Sequence, residues 1–137
     1  MEKKFYYMLA PIEGMADASF RTICAEADMT FTEMASLEAL AKSNESTIKK
    51  TKLYDSIPTQ IQIIGQNENS LRKYLSKFEP KHGFKGFNLN IGCPDPRFIK
   101  EGLGAAMIKR VSKTKRIVEI IKDHGYEASI KMRLGLN

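Results

Sequence analysis

Phe87-Asn88-Leu89-Asn90-Ile91-Gly92-Cys93-Pro94 alternates apolar and polar residues and then breaks on Gly-Cys-Pro. Successive side chains of a strand point to opposite faces, so Asn88 and Asn90 share one face and Phe87, Leu89 and Ile91 the other. The same design recurs upstream in Gln60-Ile61-Gln62-Ile63-Ile64-Gly65 and downstream in Ser129-Ile130-Lys131-Met132-Arg133. Upstream of these segments, strands are expected at 5–10 and 30–34, and the full set is 5–10, 30–34, 59–64, 86–90 and 128–132. Helical spacing of apolar residues predicts helices at 17–27, 36–42, 45–53, 69–78 and 112–124, with a short one near 105–109. Asp17 can cap the first, which places Phe20, Ile23, Cys24 and Ala27 on one face, and Gly125 stops the last.

Strands alternating with helices mean a parallel sheet with crossover helices. Two architectures use that pattern. A doubly wound sheet gathers its polar site at one switch point, whereas a (β/α)8 barrel draws on the C-terminal ends of all its strands. Here each expected strand carries a polar residue within it or just beyond: Glu13, Glu33, Gln62, Asn90 and Lys131. That distribution favours the barrel. A complete barrel takes about 250 residues, so 137 residues are expected to be its N-terminal half, about five strands with their helices. The stretch 134–137 resembles the start of a βα loop.

Composition narrows the function classes. The apolar and charged fractions, 42% and 28%, are those of a folded globular chain rather than a disordered one. No apolar run approaches the roughly 18 residues that a membrane span needs, and the short run after Met1-Glu2-Lys3-Lys4 lacks the features of a signal peptide. A cytoplasmic protein with no membrane partner is the expectation. Two cysteines without a CxxC, and two histidines, make neither a disulfide framework nor a metal site. The charge is uneven: residues 1–71 carry 7 Lys/Arg and 10 Asp/Glu, a balance of −3, and residues 72–137 carry 15 and 6, a balance of +9. A basic half suits a polyanionic partner, although lysine-rich solvated faces are common.

The strand ends carry the candidate chemistry. An amide there offers both a donor and an acceptor, matching the amide edge of a pyrimidine or a flavin ring. Gly92 would let the backbone turn sharply, and Cys93 would stand on the loop above the strand. A buried cysteine in a tight turn is the competing reading. The stretch 94–106 reads as a long loop bearing Arg97, Lys100, Gly102 and Gly104, either a mobile lid or a solvated connection. Gln60 and Gln62 would face the interior, where amides need partners: a cofactor, or a network of their own. Lys131 and Arg133 on an inward face call for an electron-rich ring or phosphates.

Taken in order, Ala10-Pro11-Ile12-Glu13-Gly14-Met15-Ala16-Asp17 with Phe20-Arg21, Thr32-Glu33-Met34, Gln62-Ile63-Ile64-Gly65, Asn90-Ile91-Gly92-Cys93-Pro94, Gly102-Leu103-Gly104-Ala105-Ala106 and Lys131-Met132-Arg133-Leu134-Gly135 resemble the tRNA-dihydrouridine synthase family over essentially the whole chain. The resemblance implies a barrel that binds flavin mononucleotide (FMN) and reduces a uracil of tRNA, with NADPH as the reductant. It places Pro11, Ile12 and Glu13 beside the flavin ring and Gln62 and Lys131 at its polar edge. Asn90 would help hold the uracil, with Arg97, Lys100 and Arg133 as further substrate contacts. Cys93 would be the catalytic acid, giving its proton to C5 after hydride arrives at C6; a thiol of ordinary pKa near 8.5 stays protonated at neutral pH yet gives its proton readily. The base must leave its stack to react, which tRNA loops allow. The family also has the rest of the barrel and a C-terminal helical tRNA-binding domain, both absent from 1–137, so these residues alone are expected to be inactive. Two other readings stay open: a dihydroorotate-dehydrogenase-like flavin enzyme acting on a free pyrimidine, and an inactive half-barrel that binds RNA or assembles with a partner half.

Overall fold

The computed structural model describes residues 5–53 and 57–135; the expectations for 1–4 and for 136–137 lie outside them. In chain order the elements are β1 (Met8–Leu9), α1 (Ala18–Ile23), β2 (Met29–Phe31), β3 (Ala35–Ser36), α2 (Leu37–Ala41), α3 (Glu45–Lys50), β4 (Thr59–Ile64), α4 (Glu68–Leu75), β5 (Phe84–Ile91), α5 (Pro96–Lys100), a 3₁₀ segment Gly104–Lys109, α6 (Val111–Asp123) and β6 (Ala128–Met132). Every strand pairing is parallel, in the order β1-β2-β4-β5-β6, with β3 also on β4. The sheet curls into a half-barrel with alternating helices, part of the expected (β/α)8 architecture.

The strand expected at 30–34 forms only over Met29–Phe31, and a separate short strand, Ala35–Ser36, follows it. Thr30 pairs with Thr59 and Ala35 with Ile63, so five steps along one strand face four along the other. The extra residue falls in Thr32-Glu33-Met34, as in a bulge, which re-aims side chains. The hydroxyl of Thr32 stitches the gap by accepting the Gln62 N–H at 3.0 Å and donating to the Glu33 carbonyl at 2.9 Å.

One face of the sheet and the inner faces of the helices make the core. Ile61, Ile63, Phe87, Leu89 and Ile91 from the strands meet Leu37 and Leu40 of α2, Leu71 and Leu75 of α4, Met107, and Ile117, Ile120 and Ile121 of α6. Helices α3, α4 and α1 start where short polar side chains cap them: Asn44, Asn67 and Asp17 each accept a backbone N–H three residues on, at 2.8–3.0 Å. Phe87 is fully buried in an aromatic cluster with Tyr74, Phe78, Phe84 and Tyr126, at ring separations of 5.0–6.1 Å.

Three further expectations need correction, the first being the strand expected at 5–10, which is confined to Met8–Leu9. Helix α1 ends at Ile23 rather than 27, with turns through Cys24 and Ala27. Ile23, expected on the buried face, is 82% exposed, whereas Arg21 is buried to 3%. The Arg21 guanidinium explains this, because it bonds the carbonyls of Ala16 at 2.7 Å and Lys52 at 2.8 Å and so turns its own side of the helix inward. The stretch 94–106 is not an irregular loop. Asp95 caps α5 and Pro96 opens it, a favoured start because the missing N–H would have had no helical partner.

Removing the ring at the centre of the aromatic cluster should therefore cost the stability typical of large-to-small core changes, about 3–5 kcal/mol for Phe87→Ala. Urea denaturation measures it, and a loss below about 1 kcal/mol would mean the cluster does not hold α4 to the sheet.

Candidate active site

The inner face of the sheet is polar, and its side chains satisfy one another. Gln62 Nε2 donates to Asn88 Oδ1 at 2.7 Å, Asn88 Nδ2 to Ser129 Oγ at 2.7 Å, and Ser129 Oγ to Gln60 Oε1. Asn90 Nδ2 donates to Gln62 Oε1 at 3.0 Å. Parallel register makes this possible, since Gln62 stands opposite Asn88, and Asn88 opposite Ser129. The interior amides thus form the network of their own that was one of their two expected fates. Gln62 is only 2% exposed, so what it can still offer a ligand is its second N–H and a remaining lone pair.

Beyond Asn90 the chain turns through Gly92 and Cys93, and every backbone polar group of the two residues is engaged. Both N–H groups donate to Asn90 Oδ1 at 3.0 Å. The Gly92 carbonyl accepts from Arg133 Nε at 2.7 Å, and the Cys93 carbonyl from the Ala105 N–H at 2.9 Å. Gly92 was expected to be the residue that permits the sharp turn. It does not have a left-handed φ, and a methyl group there would meet only ordinary contacts at 3.5–3.6 Å, against β6 and Arg133 rather than a ligand. The turn depends on Gly104 instead. Its φ is +56°, and an added Cβ would stand 2.5 Å from the Cys93 carbonyl oxygen. The downstream Gly-x-Gly-Ala-Ala is therefore the seat on which the cysteine turn rests.

Pro11, Glu13, Gln62, Asn90, Cys93, Lys131 and Arg133 line one cleft of about 180 Å³, together with Met34, Gly92 and Pro94. Seven of the ten singled-out residues are thus brought together at the C-terminal ends of the strands, though they are scattered over more than a hundred positions of chain. Glu13 reaches it from the loop after β1 and forms an ion pair with Lys50 of α3. The buried Glu33 carboxylate holds that loop by accepting the Gly14 N–H at 2.5 Å. This anchor, like Arg21, was visible only as a polar residue in a quoted motif; charges that are buried and clamp backbone have no spacing signature.

The other three stand apart. Ile12 is exposed in the turn whose carbonyl accepts from Met15 and Ala16. Arg97 and Lys100 are exposed on α5. Arg97 bonds Asp95 at 2.5 Å, and this contact holds the Asp95 carboxyl down at about 2, so the cap of α5 stays ionised at neutral pH. Arg110, also basic and close in sequence, bonds Gln66 Oε1 at 2.8 Å and shields Gly102.

The donor set fits a flavin. Lys131 is exposed at the cleft and makes no ion pair among the described residues, and a cation there would suit the negative charge of a reduced flavin ring. Pro11 offers an apolar surface and Gln62 an amide donor. At about 180 Å³ the cleft is smaller than the roughly 300–1,000 Å³ of ordinary ligand pockets, so these residues wall one side of a site.

Comparison with known proteins gives a consistent picture. A family model described as Dihydrouridine synthase (Dus) matches residues 8–137. The chain is 31% identical over 136 residues to a probable tRNA-dihydrouridine synthase 2 of Bacillus subtilis (strain 168), covering 95% of this chain and 42% of that protein. It is 32% identical over 136 residues to a probable tRNA-dihydrouridine synthase of Staphylococcus aureus (strain Mu50), covering 95% and 41%. A third, from Helicobacter pylori (strain J99), is 28% identical over 141 residues, covering 98% and 42%. The chain thus spans about two fifths of the length of these curated relatives.

Gly104→Ala tests the seat beneath Cys93. The left-handed φ and the crowding together should lower stability by about 1–3 kcal/mol and change the alkylation rate of Cys93. Thermal denaturation and thiol labelling that both match the parent would show that the turn does not need this glycine.

Proposed function

The chain belongs to the dihydrouridine synthase family, and on that footing we propose that it supplies the N-terminal part of a flavin site that reduces uridine to 5,6-dihydrouridine in tRNA. The observation that carries the reading is the convergence of Glu13, Gln62, Asn90, Cys93 and Lys131 on one cleft at the strand ends. FMN, with NADPH as its reductant, supplies hydride for the C5–C6 double bond of the uracil when bound. Pro11 and Ile12 would flank the ring and Gln62 and Lys131 its polar edge. The remaining walls would come from the rest of the barrel, and the docking of tRNA in part from a helical domain, both outside this chain.

This chain's own chemical contribution is a proton. Reduction at C6 leaves negative charge at C5, and a thiol above the cleft can give its proton there and recover it from water. The backbone of Cys93 is held on all its polar groups, which supports a turn shaped by the fold rather than by a ligand. General acids of this kind contribute about 10²–10⁴-fold to rate. Cys93→Ala in the whole protein should keep flavin absorbance and lose that much turnover, read as dihydrouridine content of tRNA; near-parental turnover would sink the assignment.

The basic half gives the polyanion a route in. Lys100 on α5 and Lys109 at the end of the 3₁₀ segment are exposed in the stretch of chain that follows the cysteine turn, and Arg97 on α5 is exposed though paired with Asp95. Phosphate contacts release counterions, so tRNA affinity should fall steeply with salt. Reversing Lys100 and Lys109 to Glu should weaken binding and reduce the slope of log affinity against log salt by about 1 for each phosphate no longer neutralised. Unchanged affinity and slope in a filter-binding titration would mark this face as merely solvated.

A further inference from the structure

The three side chains of the bulge between β2 and β3 go to three different places. Thr32 Oγ1 accepts the Gln62 N–H of β4 at 3.0 Å, the Glu33 carboxylate accepts the Gly14 N–H of the loop between β1 and α1 at 2.5 Å, and Met34 lines the cleft. The Thr32 hydroxyl also donates to the Glu33 carbonyl at 2.9 Å. One short piece of backbone thus ties the loop that carries Pro11 and Glu13 to the strand that carries Gln62. All three of those residues line the same cleft. Bulges re-aim side chains beside sites of this kind.

The loop itself is held at both ends. The Ile12 carbonyl accepts the Met15 and Ala16 N–H groups, and the Ala16 carbonyl accepts from the buried Arg21 guanidinium. Gly14 lies between them with a φ of +80°, so its N–H is turned away from the hydrogen bonds of the Ile12 turn and is met by Glu33. Glu33 is 8% exposed and forms no ion pair among the described residues. A polar group buried at that depth costs free energy unless a donor meets it. What it delivers is an acceptor oxygen at a fixed reach from the bulge.

We infer that Glu33 is a positioning residue for the flavin: through Gly14 it sets the backbone that carries Pro11 and Glu13 at a fixed spacing from Gln62, and so fixes the distance between two walls of the cleft. The flavin consequence rests on the reading of this cleft as the flavin site; the contact between Glu33 and Gly14 does not.

The test uses the whole protein, loaded with FMN and stripped of it, and three variants that separate reach from charge. Glu33→Gln keeps the reach and an acceptor oxygen, Glu33→Asp keeps the charge and loses a methylene of reach, and Glu33→Ala loses both. FMN affinity is read by fluorescence titration of the stripped protein, the surroundings of the bound ring by visible circular dichroism, and the Gly14 amide by hydrogen exchange without FMN. Loss of one such hydrogen bond should weaken FMN binding about tenfold in Glu33→Ala and Glu33→Asp and alter the visible dichroism of the bound flavin. Glu33→Gln should stay within about threefold of the parent and keep its spectrum. Parental affinity and dichroism in Glu33→Ala overturn the inference even if the melting temperature falls, because the residue would then serve stability alone. If Glu33→Ala does not fold, parental values in Glu33→Asp overturn it instead. Loss in Glu33→Gln as great as in Glu33→Asp, or retention by Glu33→Asp alone, assigns the effect to charge and overturns it too. A parent that takes up no FMN refutes the flavin reading of the cleft; exchange of the Gly14 amide, expected to quicken about tenfold in Glu33→Ala and Glu33→Asp but not in Glu33→Gln, then decides the contact by itself.

Discussion

The hydrogen bonds among Gln62, Asn88 and Asn90 are the contacts on which the rest of the site depends. Polar side chains cannot stay buried on the inner face of a sheet without partners, because each unpaired amide costs free energy comparable to a lost hydrogen bond. These amides find one another across β4 and β5, and onward to Ser129 on β6. Parallel pairing brings side chains of like parity to the same face, so the network also locks the register. A slip of one residue would send the glutamines and asparagines into the helix-covered core and Ile61, Ile63, Phe87 and Leu89 inward.

Upon that inner face the cysteine turn is built with little freedom. Its amides hang from Asn90, its carbonyls are held by Arg133 and Ala105, and Gly104 lies directly against it. Three elements distant in sequence, β5, the 3₁₀ segment and the end of β6, thus agree on one position for a thiol. A reactive group is placed more accurately by a turn fixed on several sides than by a loop free to move. The helix α5 found where an irregular loop was expected belongs to the same design, because it shortens the irregular chain between the turn and its glycine seat.

The acidic first half does different work from the basic second. Glu33 anchors the loop after β1, Glu13 meets Lys50, and Arg21 ties the start of α1 to the chain beyond α3. Of these, Arg21 and Glu33 are buried and bonded to backbone and Glu13 is paired, so they settle loop geometry rather than present charge to a partner. The cations of α5 and the 3₁₀ segment remain on the surface, where charge can act at a distance on a polyanion.

Local pattern along the chain settled the class of fold, the parity of the strands and many of the residues that line the cleft. The runs at 59–64 and 128–132 are strands at those very bounds, because alternation of apolar and polar residues is a local property that the chain carries with it. Glu13, Gln62, Asn90, Cys93, Lys131 and Arg133 could be singled out because the C-terminal ends of barrel strands are where polar groups gather to meet a ligand, and Pro11 because its motif resembles the family's. Tertiary structure alone decided which interior amides satisfy one another, that Arg21 rather than Ile23 faces inward, that the strand after α1 breaks at Thr32-Glu33-Met34, and that Gly104 rather than Gly92 makes room for the cysteine turn. Each of these depends on which backbone groups meet across β-strands and loops far apart in sequence. Such meetings are set by curvature and close packing, which no local spacing records.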